Sequence, residues 1–194
     1  MSDTLKVLGA VVLPNVGGVV NSIITRKNID GWYKTLNFPS YRPPNWLFAP
    51  VWTSLYCGMG YASYLVWRDG GGFNDDAKLP LITYGTQLAL NWAWTPIFFG
   101  AHNIKGALIE IVALTAASTA CGVLFFRVNK AAGLLFVPYV AWLSFATVLN
   151  HAMHKLNPVG KTEPAIGGGA GAEKKVFRIF MPLKILSNLR VTEW

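Results

Sequence analysis

Side chains that can bind a ligand are concentrated in stretches of this sequence that carry no charge. Gln87, Asn91 and Trp94 recur at a spacing that places them on one face of a helix, opposite a face of small residues. Two further stretches show comparable faces, one with Tyr139, Trp142, Ala146 and Asn150, the other with Trp52, Tyr56 and Met59. Aromatic rings combined with a few amides and hydroxyls are typical of a pocket for a flat, largely apolar ligand. The alternative is a structural role, in which both amides bond only to neighbouring helices.

Sequence motifs of the common enzyme classes are missing. There is no glycine-rich phosphate loop, no G-x-S-x-G, no H-E-x-x-H, and no pair of carboxylates placed to face across a cleft. His102, His151 and His154 lie near the ends of apolar stretches, where an interfacial histidine is expected rather than a haem ligand. Glu110 lies about one turn inside such a stretch, so it can reach lipid headgroups or pair with Lys105, with a proton relay as the second interpretation. We therefore predict no catalytic residue, no metal ligand and no required cofactor.

The composition places these stretches in a membrane. Only 13% of the 194 residues are charged and 53% are apolar, which is too apolar for the surface of a soluble domain. Charged residues bracket four uncharged runs of 19 to 26 residues, and a fifth run of 21 residues contains Glu110 as its one charge. As a helix that rises about 1.5 Å per residue, each run can cross a hydrocarbon core roughly 30 Å thick. The sequence therefore predicts an all-α integral membrane protein, a bundle of five transmembrane helices.

The predicted domain organisation follows from these runs. Residues 1–158 form the membrane domain, with a loop at 27–44 and spans at about 7–25, 45–67, 79–100, 106–126 and 131–152. Residues 159–194 form a flexible linker followed by a tail of mixed basic and apolar residues. This tail is either a membrane-docking element or a disordered segment, and we favour the first.

The distribution of positive charge predicts the orientation and argues against nucleic acid as a partner. Five spans place twelve Lys and Arg side chains on the side of the 27–44 loop and the C-terminus, and five on the other side. The positive-inside rule therefore places the C-terminus in the cytosol. Because the net charge of +8 is divided between two membrane faces, it favours contact with lipid headgroups over binding to nucleic acid.

Small residues recur every four positions in four of the spans. Such stripes allow helix backbones to approach closely in lipid, so they predict a tightly packed bundle. The stripes are Gly18 with Ser22, Gly58 with Ala62, Gly85 with Ala89 and Ala93, and Ala113 with Ala117 and Cys121. The stripe that begins at Gly85 is the first candidate for a contact between two copies of the chain.

Several of these segments together resemble one known family. WYKTLNFPSYRPPNWLFAPVWTSLYCGMGYASYLVW at 32–67, TQLALNWAWTPIFFGA at 86–101 and PYVAWLSFATVLN at 138–150 closely resemble the TspO/MBR translocator proteins, formerly the peripheral-type benzodiazepine receptors. The resemblance covers roughly residues 9–158 and is closer to animal members than to bacterial ones. It implies a five-helix bundle in the mitochondrial outer membrane with a cytosolic C-terminus. It also implies binding of cholesterol, of porphyrins such as protoporphyrin and haem, and of synthetic isoquinoline carboxamides and benzodiazepines.

The resemblance further implies a ligand pocket with a loop as its lid. Carried over by position, the pocket is lined by Ser22, Thr25, Phe48, Ala49, Trp52, Asn91, Trp94, Trp142, Ala146 and Leu149, and the lid contains Trp32, Tyr33, Pro39, Pro43 and Pro44. In this interpretation Asn91 bonds to a ligand carbonyl or propionate while Trp52, Trp94 and Trp142 stack around the ligand. The implied partners are membrane lipid, a second copy of the chain and other outer-membrane proteins.

Two departures from the family pattern weaken parts of this inference. The family's cholesterol-recognition pattern has a tyrosine between an aliphatic and a basic residue, whereas here Leu149 and Lys155 flank His151 at the tyrosine position. Animal members often carry a tryptophan at the start of the fourth span that covers the pocket, and this chain has Gly106 there. We therefore expect weaker ligand retention, and the cholesterol pattern in the last span is incomplete.

Three functions are compatible with the resemblance. The first is a membrane protein that binds sterol or tetrapyrrole and affects its transport or the associated signalling. The second is an enzyme that promotes light- or oxygen-dependent breakdown of porphyrins, with Trp52 and Trp142 as oxidisable indoles. The third is a scaffold whose tail recruits partners under control of the pocket. The binding protein is the favoured interpretation.

Overall fold

Five long helices account for most of the structure. The computed structural model describes residues 3–158, and the predicted tail of residues 159–194 lies outside the described residues. The helices are α1 (Asp3–Ile29), α2 (Asn45–Asp69), α3 (Asp75–Thr95), α4 (Ile104–Val128) and α5 (Lys130–Leu156). A short 3-10 helix (Trp32–Thr35) follows α1, and a π-helical turn (Pro96–Gly100) extends α3. Within residues 3–158 there is no strand, which confirms the predicted all-α bundle of five helices.

The outer surface of the bundle is apolar, as expected for contact with lipid. By length and composition alone, α1, α4 and α5 are apolar enough to cross a membrane. Large apolar side chains such as Val19 and Ile109 are 66% and 65% exposed on the outside. In contrast, Ser63 of α2 and the amides Gln87 and Asn91 of α3 are buried inside the bundle. The arrangement places polar groups within protein and apolar groups toward lipid, which is the reverse of a soluble domain. Where each span enters the membrane stays a prediction.

The helices form a closed ring. α1 packs against α2, α2 against α5, α5 against α4, α4 against α3, and α3 against α1. Two apolar clusters fill the interior. The first surrounds Met59, Leu114 and Tyr139 in the middle of the bundle. The second joins the loop after α1, through Tyr33 and Leu36, to the π-helical turn and the end of α5.

Asparagine side chains determine where α4 and α5 begin. Asn103 Oδ1 accepts a hydrogen bond from the Gly106 amide at 2.7 Å, and Asn129 Oδ1 accepts one from the Ala132 amide at 2.9 Å. Each bond satisfies a backbone N–H that a helix start leaves without an intrahelical partner. Asn129 is also the single residue between α4 and α5, so these two helices must run antiparallel and pack closely.

The loop between α1 and α2 is shorter than predicted. We expected it at residues 27–44, but α1 continues to Ile29, and Asn28 Nδ2 donates to the Ile24 carbonyl at 2.9 Å within its last turn. The loop ends as predicted at Pro44, whose extended backbone (φ −64°, ψ 149°) immediately precedes α2. Proline favours this geometry and disfavours a helical residue before it.

The close approach of α1 and α2 depends on Gly60. A Cβ atom at this position would lie 2.5 Å from the Ala10 carbonyl oxygen and 2.7 Å from the Val11 Cα atom. These are backbone atoms of α1, so they cannot rotate away. Gly58, which the sequence pattern selected, has nothing within 4 Å of such a Cβ atom. Of the predicted stripe, Ala62 is buried in the core, whereas the close contact with α1 is made by Gly60 and not by Gly58.

We expect Gly60→Ala to lower the free energy of unfolding by about 1 to 3 kcal/mol through overpacking against α1. Gly58→Ala is the matched control on the same helix, and it should be neutral or slightly stabilising because alanine favours helix by about 1 kcal/mol over glycine. Thermal unfolding of the two purified variants in the same detergent compares them. Equal effects of the two substitutions would show that the α1–α2 contact is looser than described.

Candidate functional site

A chain of hydrogen bonds between side chains joins four helices in the middle of the bundle. Tyr56 on α2 donates its hydroxyl to Asn91 Oδ1 on α3 at 2.7 Å. Asn91 Nδ2 donates to the Tyr139 hydroxyl on α5 at 2.9 Å, and Tyr139 in turn donates to Gln87 Oε1 at 3.0 Å. Ser118 on α4 donates to the same Gln87 oxygen at 3.3 Å. We call these five residues the central network.

The central network shows what the polar face of α3 does in this structure. Gln87 and Asn91 are 0% and 5% exposed, which confirms that their face turns inward. Both amides bond to neighbouring helices, as the structural alternative requires. Each Asn91 group has further capacity, because an amide offers two N–H donors and two acceptor lone pairs and only one of each is used here. A ligand contact by Asn91 stays a prediction.

An aromatic wall lies beside the central network between α2 and α5. The Trp52 ring lies 5.5 Å from the ring of Tyr56 and 6.3 Å from that of Tyr139, measured between centroids. Phe48 meets Trp142 edge to face at 5.8 Å. The Trp142 indole nitrogen is buried and has no hydrogen-bond acceptor among the described residues. A buried donor without a partner costs about 1 to 3 kcal/mol, so this nitrogen is a place where a ligand acceptor would be favoured.

A second aromatic group lies toward the loop. Trp94 stacks on Phe98 with centroids 4.7 Å apart, and its indole nitrogen donates to Asn150 Oδ1 at 3.3 Å. Tyr33 from the loop packs its ring 5.2 Å from that of Phe99. Leu149 is buried in the same cluster. The predicted lid residue Tyr33 therefore meets the predicted pocket residues Trp94 and Leu149 in one cluster.

The other predicted pocket residues are placed less centrally. Ser22 and Thr25 on α1 are half-buried, and their hydroxyls donate to the carbonyls of Val19 and Asn21 on their own helix. Ala146 packs against the central core, whereas Ala49 is exposed. Most of the predicted positions therefore lie in the two aromatic groups or in the central network. Ser22 and Thr25 on α1 and Ala49 at the start of α2 lie outside these groups.

The loop from residue 30 to 44 is bonded to residues next to the end of α5 and the start of α4. Asn157, just after α5, accepts from the Asn37 amide at 2.9 Å and donates to the Asn37 carbonyl at 3.0 Å. The Trp32 ring stacks on the His102 ring at 4.2 Å between centroids, with an angle of 13° between planes. His102 also bonds to Asn28 Oδ1 at 2.9 Å. These contacts hold the loop over the second aromatic group.

Arg42 organises the interior of the same loop. Its guanidinium lies 4.2 Å from the Phe38 ring centroid, its Nε donates to the Tyr33 hydroxyl at 3.2 Å, and it also bonds to Asn45. An arginine over an aromatic face is attracted by the ring quadrupole. The contacts connect the loop to the first residue of α2.

Glu110 does not pair with Lys105 as one prediction proposed. Its side chain is buried, and neither carboxyl oxygen has a hydrogen-bond partner among the described residues. The reason is its position on α4: it lies one turn from the buried Ala107 and Leu114, so it faces the interior, whereas Lys105 is exposed.

The cholesterol-motif positions do not share one surface. Leu149 is buried, whereas His151 and Lys155 are exposed on the other side of α5. At Gly106, a Cβ atom would lie 2.5 Å from Asn103 Nδ2, so the cap of α4 occupies the space of a side chain there. Among residues 3–158, no three His, Cys, Asp or Glu side chains come together as a metal-binding group.

The structure also contains an open groove of about 540 Å³ that includes none of the predicted pocket residues. It lies between the end of α2 and the start of α5, at the opposite end of both helices from Phe48 and Leu149. The candidate site is the aromatic wall, which holds predicted pocket residues and the buried indole nitrogen of Trp142, and the groove is a separate surface.

Sequence reasoning missed several residues that define the site. Tyr56 and Tyr139 were placed on the correct faces, but their hydroxyls were not expected to bond to Asn91. The signal available was their shared helical register with Trp52 and Trp142. Asn157 gave no sequence signal, because its partner Asn37 lies 120 residues away in the chain.

Known proteins resemble this chain along most of its length. Residues 10–156 match the sequence model of the TspO/MBR family. The chain is 41% identical over 157 residues to the translocator protein of Sus scrofa, and this alignment covers 79% of this chain and 90% of that protein. It is 43% identical over 150 residues to the translocator protein of Homo sapiens, covering 77% and 89% respectively. It is 37% identical over 155 residues to the tryptophan-rich protein TspO of Archaeoglobus fulgidus, covering 80% and 99%.

We expect Tyr139→Phe to lower the free energy of unfolding by about 1 to 3 kcal/mol, because it removes a buried partner from both Asn91 and Gln87. Tyr61→Phe is the matched control, since Tyr61 lies 42% exposed on the outer surface, and it should change stability by less than about 0.5 kcal/mol. Chemical unfolding in mixed detergent micelles measures both. If the two variants unfold alike, the central network contributes no net stability.

Asn157→Ala should release the loop from α5. Loss of two hydrogen bonds worth about 0.5 to 1.5 kcal/mol each predicts about tenfold or faster amide exchange in residues 31–44. Hydrogen exchange with mass spectrometry on the ligand-free protein in lipid nanodiscs measures this. Leu156→Ala, an exposed neighbour, is the control and should leave the loop unchanged. Unchanged exchange in Asn157→Ala would mean that the other loop contacts suffice.

Proposed function

This chain belongs to the TspO/MBR family, and on that premise we propose that it is a membrane binding protein for flat, largely apolar ligands. The proposed ligands are cholesterol, porphyrins such as protoporphyrin and haem, and synthetic isoquinoline carboxamides and benzodiazepines. The proposed role is in the transport of sterol or tetrapyrrole, or in the associated signalling. The protein requires no cofactor in this proposal, and a porphyrin is a ligand.

The observation that supports this proposal best is the unpartnered indole nitrogen of Trp142. It lies within the aromatic wall of Phe48, Trp52 and Trp142, where ring faces suit a flat ligand body. A ligand carbonyl or carboxylate that accepts from this nitrogen would satisfy a donor that the protein leaves unsatisfied. The ligand's polar group thus gives orientation, and the rings give most of the buried area.

The central network, which packs against the aromatic wall, supports the same proposal. Tyr56 and Tyr139 contact the Trp52 ring and also hold Asn91, so the aromatic wall and the amide share their supports. A site carried by bonded side chains on four helices is held in place before a ligand arrives, which lowers the cost of ordering it. Asn91, with one free donor and one free acceptor position, is the proposed second polar contact.

The enzymatic alternative is favoured by one arrangement. The oxidisable ring of Trp52 has its centroid 5.5 Å from that of Tyr56 and 6.3 Å from that of Tyr139 along the same wall. A porphyrin bound against them would have an indole and two phenols next to it. The binding experiment below separates this alternative, because chemistry would yield a new chromophore.

We further propose the mitochondrial outer membrane as the location, with several spans and a cytosolic C-terminus. Proposed partners are membrane lipid, other outer-membrane proteins and a second copy of the chain, but not nucleic acid. Gly85 and Ala89 support the contact between copies, because both are exposed on the outer face of α3 and no atom lies within 4 Å of a Cβ atom at Gly85.

The proposal predicts that Trp142→Phe weakens binding of protoporphyrin about three- to tenfold, because the ring is kept and one hydrogen bond of about 0.5 to 1.5 kcal/mol is lost. Titration of the purified protein, followed by the shift of the porphyrin absorption band, measures the affinity. Trp46→Phe is the matched control, since Trp46 is 71% exposed.

Equal affinities of the two variants would contradict the assigned role of Trp142, and absence of saturable binding in the unmodified protein would contradict the function. A new absorption spectrum that grows with light or oxygen would favour the enzyme. An isoquinoline carboxamide that competes with the porphyrin would place both ligands in one site.

A further inference from the structure

The open groove between α2 and α5 has a polar end and an apolar end. Arg68 and Asn129 line it where α2 ends and α5 begins. Tyr61, Leu65 and Leu134 line the remainder. Tyr61 lies seven residues before Arg68, so the groove extends about 10 Å along α2 at about 1.5 Å per residue.

The predicted spans place the polar end of the groove at a membrane boundary. The predicted span in α2 ends at residue 67 and that in α5 begins at residue 131, next to the lining residues Arg68 and Asn129, whereas Tyr61, Leu65 and Leu134 lie within the spans. Leu134 is 59% exposed and Tyr61 is 42% exposed, so the groove opens outward to lipid. The occupant must therefore be polar at one end and apolar over the next 10 Å or so.

The charged side chains at the helix ends that border the groove are mostly basic. They are three basic side chains and one acid: Arg68, Arg127, Lys130 and Asp69. This excess of positive charge favours an anionic headgroup.

The basic residues at the groove keep capacity for an anion. Arg68 donates from Nε and one terminal nitrogen to the two Asp69 oxygens, at 2.5 and 3.1 Å, and Asn129 also donates to Asp69. A guanidinium has five N–H groups, so its other terminal nitrogen stays available. Among the ion pairs between described side chains, none involves Arg127 or Lys130.

From these observations we propose that the groove between α2 and α5 is a binding site for one anionic phospholipid. The phosphate is held by Arg68, which lines the groove, and by the exposed Lys130, which lies between the lining residues Asn129 and Ala131 in the sequence. Asn129 contributes a polar contact at the same level. The first part of an acyl chain lies along Tyr61, Leu65 and Leu134. This site is independent of the proposed ligand pocket, because the two share no residue and lie toward opposite ends of α2 and α5.

Native mass spectrometry of the full chain, with equal amounts of phosphatidylglycerol and phosphatidylcholine of identical acyl chains, tests this proposal. We expect the first bound lipid to be phosphatidylglycerol, with a preference that falls about fivefold for each basic side chain removed in Arg68→Gln and Lys130→Gln. Arg26→Gln with Lys27→Gln, at the opposite membrane side, is the matched control and should keep the preference.

A second variant tests the groove without changing its charge. Ala131→Trp fills the groove, since Ala131 is exposed and lines it, and should abolish the first bound lipid irrespective of its headgroup. Added inorganic phosphate should not displace the lipid. The proposal is overturned if the double charge variant keeps its preference, if Ala131→Trp retains the first lipid, or if phosphate alone competes.

Discussion

The requirement that buried polar groups be satisfied inside the protein organises this structure. In hydrocarbon there is no water to bond with an amide or a hydroxyl, so each such group must find a partner on another helix or remain costly. Gln87 and Asn91 meet this requirement through Tyr56, Tyr139 and Ser118. Because these partners come from α2, α5 and α4, the central network ties α3 to three other helices.

The aromatic side chains depend on that network for their positions. Tyr56 and Tyr139 are held by Asn91, and the Trp52 ring packs against both tyrosines. On the loop side, Asn150 holds the Trp94 indole nitrogen while Phe98 stacks on the ring. The indole nitrogen of Trp142 in the aromatic wall has no hydrogen-bond partner, so the wall offers one polar donor in addition to its apolar ring surface. Rigid support and one open donor are the features that distinguish this wall from ordinary helix packing.

The loop end of the bundle is held by different means. There the contacts are backbone-directed and partly exposed, as in the pair of bonds between Asn157 and Asn37 and the stack of Trp32 on His102. Near the headgroups water is available, so breaking such bonds costs less than it would in the central network.

Most of the fold was predictable because a membrane simplifies the sequence signal. Uncharged runs of the right length predicted five helices, and helical periodicity predicted that Gln87 and Asn91 turn inward. Local chemistry also located Pro44 at the start of α2. The failures were of a finer kind: α1 ends at Ile29 rather than before Lys27, Gly60 rather than Gly58 meets α1, and Glu110 is buried without Lys105. Each depends on where one helix lies relative to another.

By itself, the sequence determined the helices, their polar faces and the family, since these follow from composition and from periodicity along one segment. Only the tertiary structure decided that Asn91 bonds to two tyrosines, that Asn157 fastens the loop at Asn37, and that a groove with a basic end lies between α2 and α5. The physical reason is that spacing along a helix fixes the direction of a side chain but not its partner. The partner is set by the rotation and depth of neighbouring helices, which depend on packing across the whole ring.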